Sequence, residues 1–151
     1  MMQAQAEPRR LLPFLVPFYE RVVPLSWAIL RVATGVDLAI HGWEKVVRVP
    51  PIVDALIHGT TAQLGRQLDP FHNLLLAFFE FVGGICIALG LFTRFFAPAA
   101  ALDLAVITFT VFWPHGYHAY EYTLWWGLVT FAIALRGGGP YSLDRVLGVE
   151  L

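Results

Sequence analysis

Cysteine is nearly absent: Cys86 is the single thiol in 151 residues. One thiol excludes an internal disulfide, a CxxC redox pair and a cysteine-ligated iron–sulfur centre. Cys86 therefore reads as a small apolar residue within a helix. Charge is scarce as well, at 14% Asp, Glu, Lys and Arg, against about 25% in a water-soluble domain. The net charge is −1 and no basic stripe is present to neutralise phosphates, which excludes a nucleic-acid partner. No signal peptide is evident. Arg9 and Arg10 precede LLPFLVPF, but that run is short, holds two prolines and lacks a small-residue exit. Metal-ligand spacing is missing too: no HxxxH or ExxH pair occurs on one helical stretch, and His41 is the only histidine well inside an apolar run. No metal is expected, and a bis-histidine haem is not expected. Neither an internal repeat nor a low-complexity segment occurs.

What the chain has instead is hydrophobicity, 58% of its residues. Four apolar runs cover 22–43, 71–92, 95–113 and 117–135. Each approaches the ~20 residues needed to cross a hydrocarbon core of ~30 Å. The fold class that follows is all-α: an integral membrane four-helix antiparallel bundle forming one domain. Its helices are placed at about 24–47, 70–92, 95–113 and 118–136, with an outer connection over 48–69. Four spans put both termini on one side. Arg9, Arg10, Arg21, Arg94, Arg136 and Arg145 gather there, against Lys45, Arg48 and Arg66 opposite. The positive-inside rule then makes both termini cytoplasmic. Trp113, Tyr117, Tyr120 and Tyr122 read as anchors at the outer interface.

Punctuation sets the expected boundaries. Pro8, Pro13 and Pro17 predict that 8–21 is not a regular helix and lies along the interface. Pro24 then occupies the first turn of helix 1, and Pro50-Pro51 ends it. The 50–70 connection carries Ile52, Leu56, Leu64 and Leu68 among polar residues, as short amphipathic pieces would. Asp69 is the expected N-cap of helix 2, with Pro70 following. The short Phe92-Thr93-Arg94 turn makes helices 2 and 3 antiparallel neighbours. Gly137-Gly138-Gly139-Pro140 stops helix 4, and Ser142 is placed to cap a terminal turn. Ala28, Gly35 and Gly42, with Gly83, Gly84 and Gly90, offer the small surfaces on which helices pack in lipid.

Six ionisable residues interrupt the apolar runs: Arg31, Asp37, His41, Glu80, Asp103 and Glu121. A charge at mid-membrane costs roughly 2.5–3.5 kcal/mol, so such groups turn toward one another. Counted from the expected helix ends, Arg31 lies ~10 Å deep and Asp103 ~12 Å. Their opposite signs predict a buried ion pair. Glu80, Asp37, Glu121 and His41 fall ~18–25 Å deep and are expected to share the outer half. Three carboxyls there cannot all be charged without cations, so at least one, Glu80 or Asp37, is expected to carry a proton. Phe78, Phe79, Trp125 and Trp126 are the rings available to wall a flat ligand.

Arg31 with HGWEKV (41–46), EFVGGICIALGLFTRFFAPAAAL (80–102) and GGGPYSLD (137–144) resemble the DoxX family of small four-helix membrane proteins. The matching positions include Arg31, His41, Lys45, Glu80 and Arg94. The resemblance implies a multi-pass protein of the bacterial cytoplasmic (inner) membrane, linked to thiosulfate-to-quinone electron transfer or to a membrane oxidoreductase assembly. The expected activity is that of a quinone-interacting subunit. Glu80 and His41 handle protons as its catalytic residues, while Arg31, Asp37, Asp103, Glu121 and Trp125 surround the quinone. Electrons come from a protein partner or a reduced sulfur compound, because the chain has no evident carrier. The rival expectation is a non-catalytic accessory subunit of a larger membrane complex.

Overall fold

The computed structural model describes residues 12–48 and 70–148, and among these the chain is all-helical. A 3₁₀ turn, Pro13–Leu15, leads into α1, Val16–Arg48. After it come α2 (Pro70–Leu89), α3 (Thr93–Ile107), α4 (Tyr117–Arg136) and a short α5 (Leu143–Leu147). Beyond α3 the helix widens into a π turn, Thr108–Phe112, and tightens into a 3₁₀ turn, Trp113–His115. The expected outer amphipathic pieces (Ile52, Leu56, Leu64 and Leu68) and the Asp69 cap lie outside the described residues.

The N-terminal boundary of α1 corrects the proline reading. The helix begins at Val16, not at Pro24, and runs through Pro24. Pro17 sits in the first turn, where a missing N–H costs nothing. Pro24 removes the donor for the Glu20 carbonyl, but Glu20 and its neighbours are exposed, so that oxygen meets surroundings rather than a sealed core. At ~1.5 Å per residue the 33-residue helix reaches ~50 Å, well beyond a bilayer core.

α1 packs chiefly on α2 and α3 on α4; the two pairs meet through α2 and α3, whereas α1 and α4 touch only sparsely. Small residues make the α1–α2 approach possible. A Cβ added to Gly35 would stand 2.6 Å from the Gly84 carbonyl oxygen, and one on Gly84 would stand 2.5 Å from the Ala39 amide nitrogen. Backbones this close are the packing mode of helices in lipid. The core between the helices is thin: Trp27, Leu38, Ile87, Ala97, Ala100, Leu104 and Ile133. Buried Thr34, Thr108 and Thr130 return their hydroxyl protons to carbonyls one turn earlier, so none of these three hydroxyls is stranded.

The outer surface is apolar, with Ile29, Leu102, Phe109, Trp125, Phe131 and Leu135 all exposed. In water so much apolar area would drive association; in lipid it is the ordinary face of a helix. Two stretches, Val16–Lys45 and Thr93–His115, are long and apolar enough to cross a membrane, and Leu75–Leu89 is a shorter apolar helix.

Candidate functional site

The six ionisable residues do not form one cluster. Five of them fall in three places and Glu121 stands apart; the first place is Arg31.

Arg31 is buried, and its guanidinium does not meet Asp103. Nη1 donates to the carbonyls of Ile87 and Ala88 at 2.8 Å each, and Nη2 donates to the carbonyl of Tyr141 at 2.8 Å. The expected ion pair fails because the end of the molecule folds at the level of Arg31. The α2–α3 turn and the C-terminal segment close over it, and carbonyls at a helix C-terminus lack intrahelical donors. Gly90, at φ 71, leaves the room: an added Cβ would strike the Arg31 guanidinium and lie 2.6 Å from the Ser142 Cβ.

The same closure explains the glycine run. Trp27 Nε1 donates to the Gly137 carbonyl at 3.2 Å, and the Arg136 guanidinium lies 4.5 Å from the centre of the Trp27 ring. Cβ atoms on Gly138 or Gly139 would stand 2.6 Å from Ser142 Cβ or Trp27 Cδ1. Ser142 caps α5 as its position predicts, accepting from the Arg145 amide at 3.3 Å. Asp144 is buried and caps α3 from outside the helix, accepting from the amides of Phe92 (2.6 Å) and Thr93 (3.0 Å). Phe92, at φ 48, is a left-handed residue with a side chain; the charge-assisted bond to Asp144 helps hold it there. This end of the protein is a clamp in which the bonds converge on backbone groups.

The second place lies in the core, further along α1 at Lys45. Glu80 Oε1 accepts from Lys45 Nζ. The side chain of Glu80 is 5% exposed and that of Lys45 42%. Asp103, 8% exposed, lies near enough to Glu80 and Lys45 to feel both charges. Among the described residues, Glu80 Oε2 and both Asp103 carboxyl oxygens are buried without a hydrogen-bond partner. Gly42 brings α1 against the backbone of Glu80 and Phe81, which sets Lys45 within reach.

The third place is the sparse α1–α4 seam. Tyr122 Oη donates to Asp37 Oδ2 at 2.6 Å. His41 Nδ1 lies 2.9 Å from the Asp37 carbonyl and 3.7 Å from Asp37 Oδ2. A carbonyl only accepts, so Nδ1 carries a proton and Nε2 of the neutral ring is left as an acceptor. The His41 and Tyr122 rings lie 5.7 Å apart, and Trp126 stands 6.1 Å beyond Tyr122. His41 is half exposed. Asp37 lies ten residues beyond Trp27 along α1, ~15 Å.

Two expected members stand apart. Glu121 lies 3.6 Å from His118, whose side chain is almost fully exposed, at the far end of α4. Trp125 points outward and is exposed. Tyr122 was the residue that sequence reasoning assigned elsewhere, as an interfacial anchor. Its spacing of one turn from His118 and from Trp126 carried no sign of Asp37, which is 85 residues away.

A family model described as DoxX matches residues 26–113, more than half of the chain. The chain belongs to the DoxX family. No curated protein and no solved structure matches it. The match holds α1 from Ser26, α2, α3 and the π turn, so all of Arg31, Asp37, His41, Lys45, Glu80 and Asp103 lie within it. The GGGPYSLD segment lies beyond it, yet docks on its Arg31 and Thr93. This DoxX chain is a membrane protein, in keeping with its apolar surface and its two long apolar helices.

Proposed function

We propose that this DoxX protein is a quinone-interacting subunit of an oxidoreductase in a bacterial cytoplasmic membrane. The four long helices cross the membrane as an antiparallel bundle with both termini cytoplasmic. The clamp end, with Arg94, Arg136 and Arg145, is the cytoplasmic face, in keeping with the positive-inside rule. The single observation that carries the reading is the polar trio of Asp37, His41 and Tyr122 in the sparse α1–α4 seam. Half-exposed polar groups at membrane depth are costly unless something polar meets them there. The seam supplies flat rings from His41, Tyr122 and Trp126, a carboxylate and a free imidazole acceptor, which fits a flat head group carrying hydroxyl or carbonyl oxygens.

A bound quinone supplies two-electron, two-proton chemistry, and a partner protein or reduced sulfur compound supplies the electrons. The chain's own part is to orient and to move protons. Tyr122 fixes Asp37, the Asp37 carbonyl fixes the His41 tautomer, and His41 Nε2 exchanges a proton with the head group. Glu80 lies deeper, one helix away, as the next acid.

A second reading, a non-catalytic accessory subunit, is favoured by one observation: the motif-rich clamp end is spent on structure. Purification in native lipid followed by quinone analysis separates the two. Quinone retained by the native chain and reduced at least about tenfold by His41→Ala or Tyr122→Phe supports the first. No quinone in either sample supports the second.

A further inference from the structure

We propose that Glu80 and Asp103 together form a binding site for one exchangeable proton, held between their carboxyl groups with the Lys45 ammonium fixing the charge of the site. The argument starts from hydrogen bonding. Three oxygens, Glu80 Oε2, Asp103 Oδ1 and Asp103 Oδ2, are buried with no hydrogen-bond partner among the described residues. A buried acceptor left unsatisfied is expensive, and a charged one more so. Glu80 is satisfied on one oxygen only, by Lys45. Asp103, though more than nine-tenths buried, is satisfied on neither.

Charge gives the stoichiometry. Two carboxylates and one ammonium leave the site at −1, inside a medium that tolerates no net charge. One monovalent cation brings it to zero. A proton does so with the fewest demands: it forms an O–H bond on one carboxyl and a hydrogen bond to the other, as two carboxyls sharing a site do. A metal ion demands a fuller shell of oxygens, and here an ammonium already occupies part of that shell. Loading makes one O–H bond and changes no oxidation state.

The site is distinct from the Asp37–His41–Tyr122 trio, and its occupancy does not depend on the quinone reading. Only the use made of the proton does. If that reading holds, Lys45, which bonds Glu80 and lies one turn beyond His41 on α1, links the pair to the seam. The pair is then the proton store from which the seam is recharged.

Infrared spectroscopy of the full chain in lipid nanodiscs tests the assignment. The expected result is one protonated-carboxyl band, sensitive to deuterium and insensitive to Na⁺, that disappears in Glu80→Gln and likewise in Asp103→Asn. In each variant the remaining carboxylate is matched by Lys45. Lys45→Gln removes the ammonium and leaves two unbalanced carboxyls, so the band rises roughly twofold. Because the Lys45 side chain is 42% exposed, this variant folds even if a core variant does not. Absence of the band, a band surviving in the double variant Glu80→Gln/Asp103→Asn, or an unchanged band in Lys45→Gln overturns the proposal. So does a band removed by Na⁺, which would make the occupant a metal ion. Quinone content measured on the same samples keeps failure here separate from failure of the quinone reading.

Discussion

The two ends of the bundle handle buried charge in opposite ways. At the clamp end, Arg31 donates to three carbonyls and Asp144 accepts from two amides. In the Glu80–Asp103 region, three carboxyl oxygens have no donor among the described residues. Both regions are buried in the same narrow bundle, so depth alone does not decide the role of a charged residue. A charge surrounded by backbone groups at helix ends is structural glue. A charge facing another of the same sign, away from any helix end, is left with capacity to bind something.

The comparison is broken most severely at Arg31. Arg31→Leu removes three charge-assisted hydrogen bonds and strands their carbonyls, and a loss on the order of 4 kcal/mol is expected. Thermal unfolding in detergent measures it. Adding Asp103→Leu is expected to give no rescue, because the two side chains do not meet; recovery to near the native midpoint would restore the ion pair that depth-matching predicted. Next comes the α1–α2 contact. Gly84→Val forces the backbones apart, and a loss of about 1–3 kcal/mol is expected, read as the same midpoint shift. Asp144→Ala removes the cap of α3 and should cost about 1–2 kcal/mol. If it proves harmless, the C-terminal segment is not part of the clamp.

Smaller effects sharpen the contrast. Tyr122→Phe removes one hydrogen bond in a half-exposed seam, with an expected cost of about 0.5–1.5 kcal/mol; its larger consequence should be loss of retained quinone. At the quiet end of the scale, Asp103→Asn is expected to leave the unfolding midpoint unchanged or raised, by no more than about 1 kcal/mol. The amide removes an unmatched charge without changing shape. A loss as large as that of Arg31→Leu would show that Asp103 is as fully bonded as the clamp residues, and the contrast between the two regions would disappear.

Much of this was legible in the chain. The helical content follows from the apolar runs, and the stops of α2 and α4 follow from Gly90 and Gly137-Gly138-Gly139. The cap at Ser142 and the small-residue contacts at Gly35, Gly42 and Gly84 were readable from local chemistry. The start of α1 differs because Pro8, Pro13 and Pro17 read as breakers, although Pro13 opens the 3₁₀ turn and Pro17 falls in the first turn of α1. Arg31 was misassigned for a different reason. Depth counted along the helix points only to the nearest opposite charge at the same level, Asp103. The carbonyls that do receive it carry no mark in the sequence, since every residue has one.

By itself, then, the sequence determined that this protein is helical, that its surface belongs in lipid, and which few ionisable residues had to turn inward. Those are consequences of composition and period, which act residue by residue. Only the tertiary structure decided how those residues are matched: Asp103 with Glu80 and Lys45, Asp37 with His41 and Tyr122, Arg31 with the end of α2 and with Tyr141. Pairing depends on helix rotation and on where connecting segments fold back. Both are set by close contacts such as Gly35 on Gly84 and Gly139 on Trp27, between residues far apart in the chain.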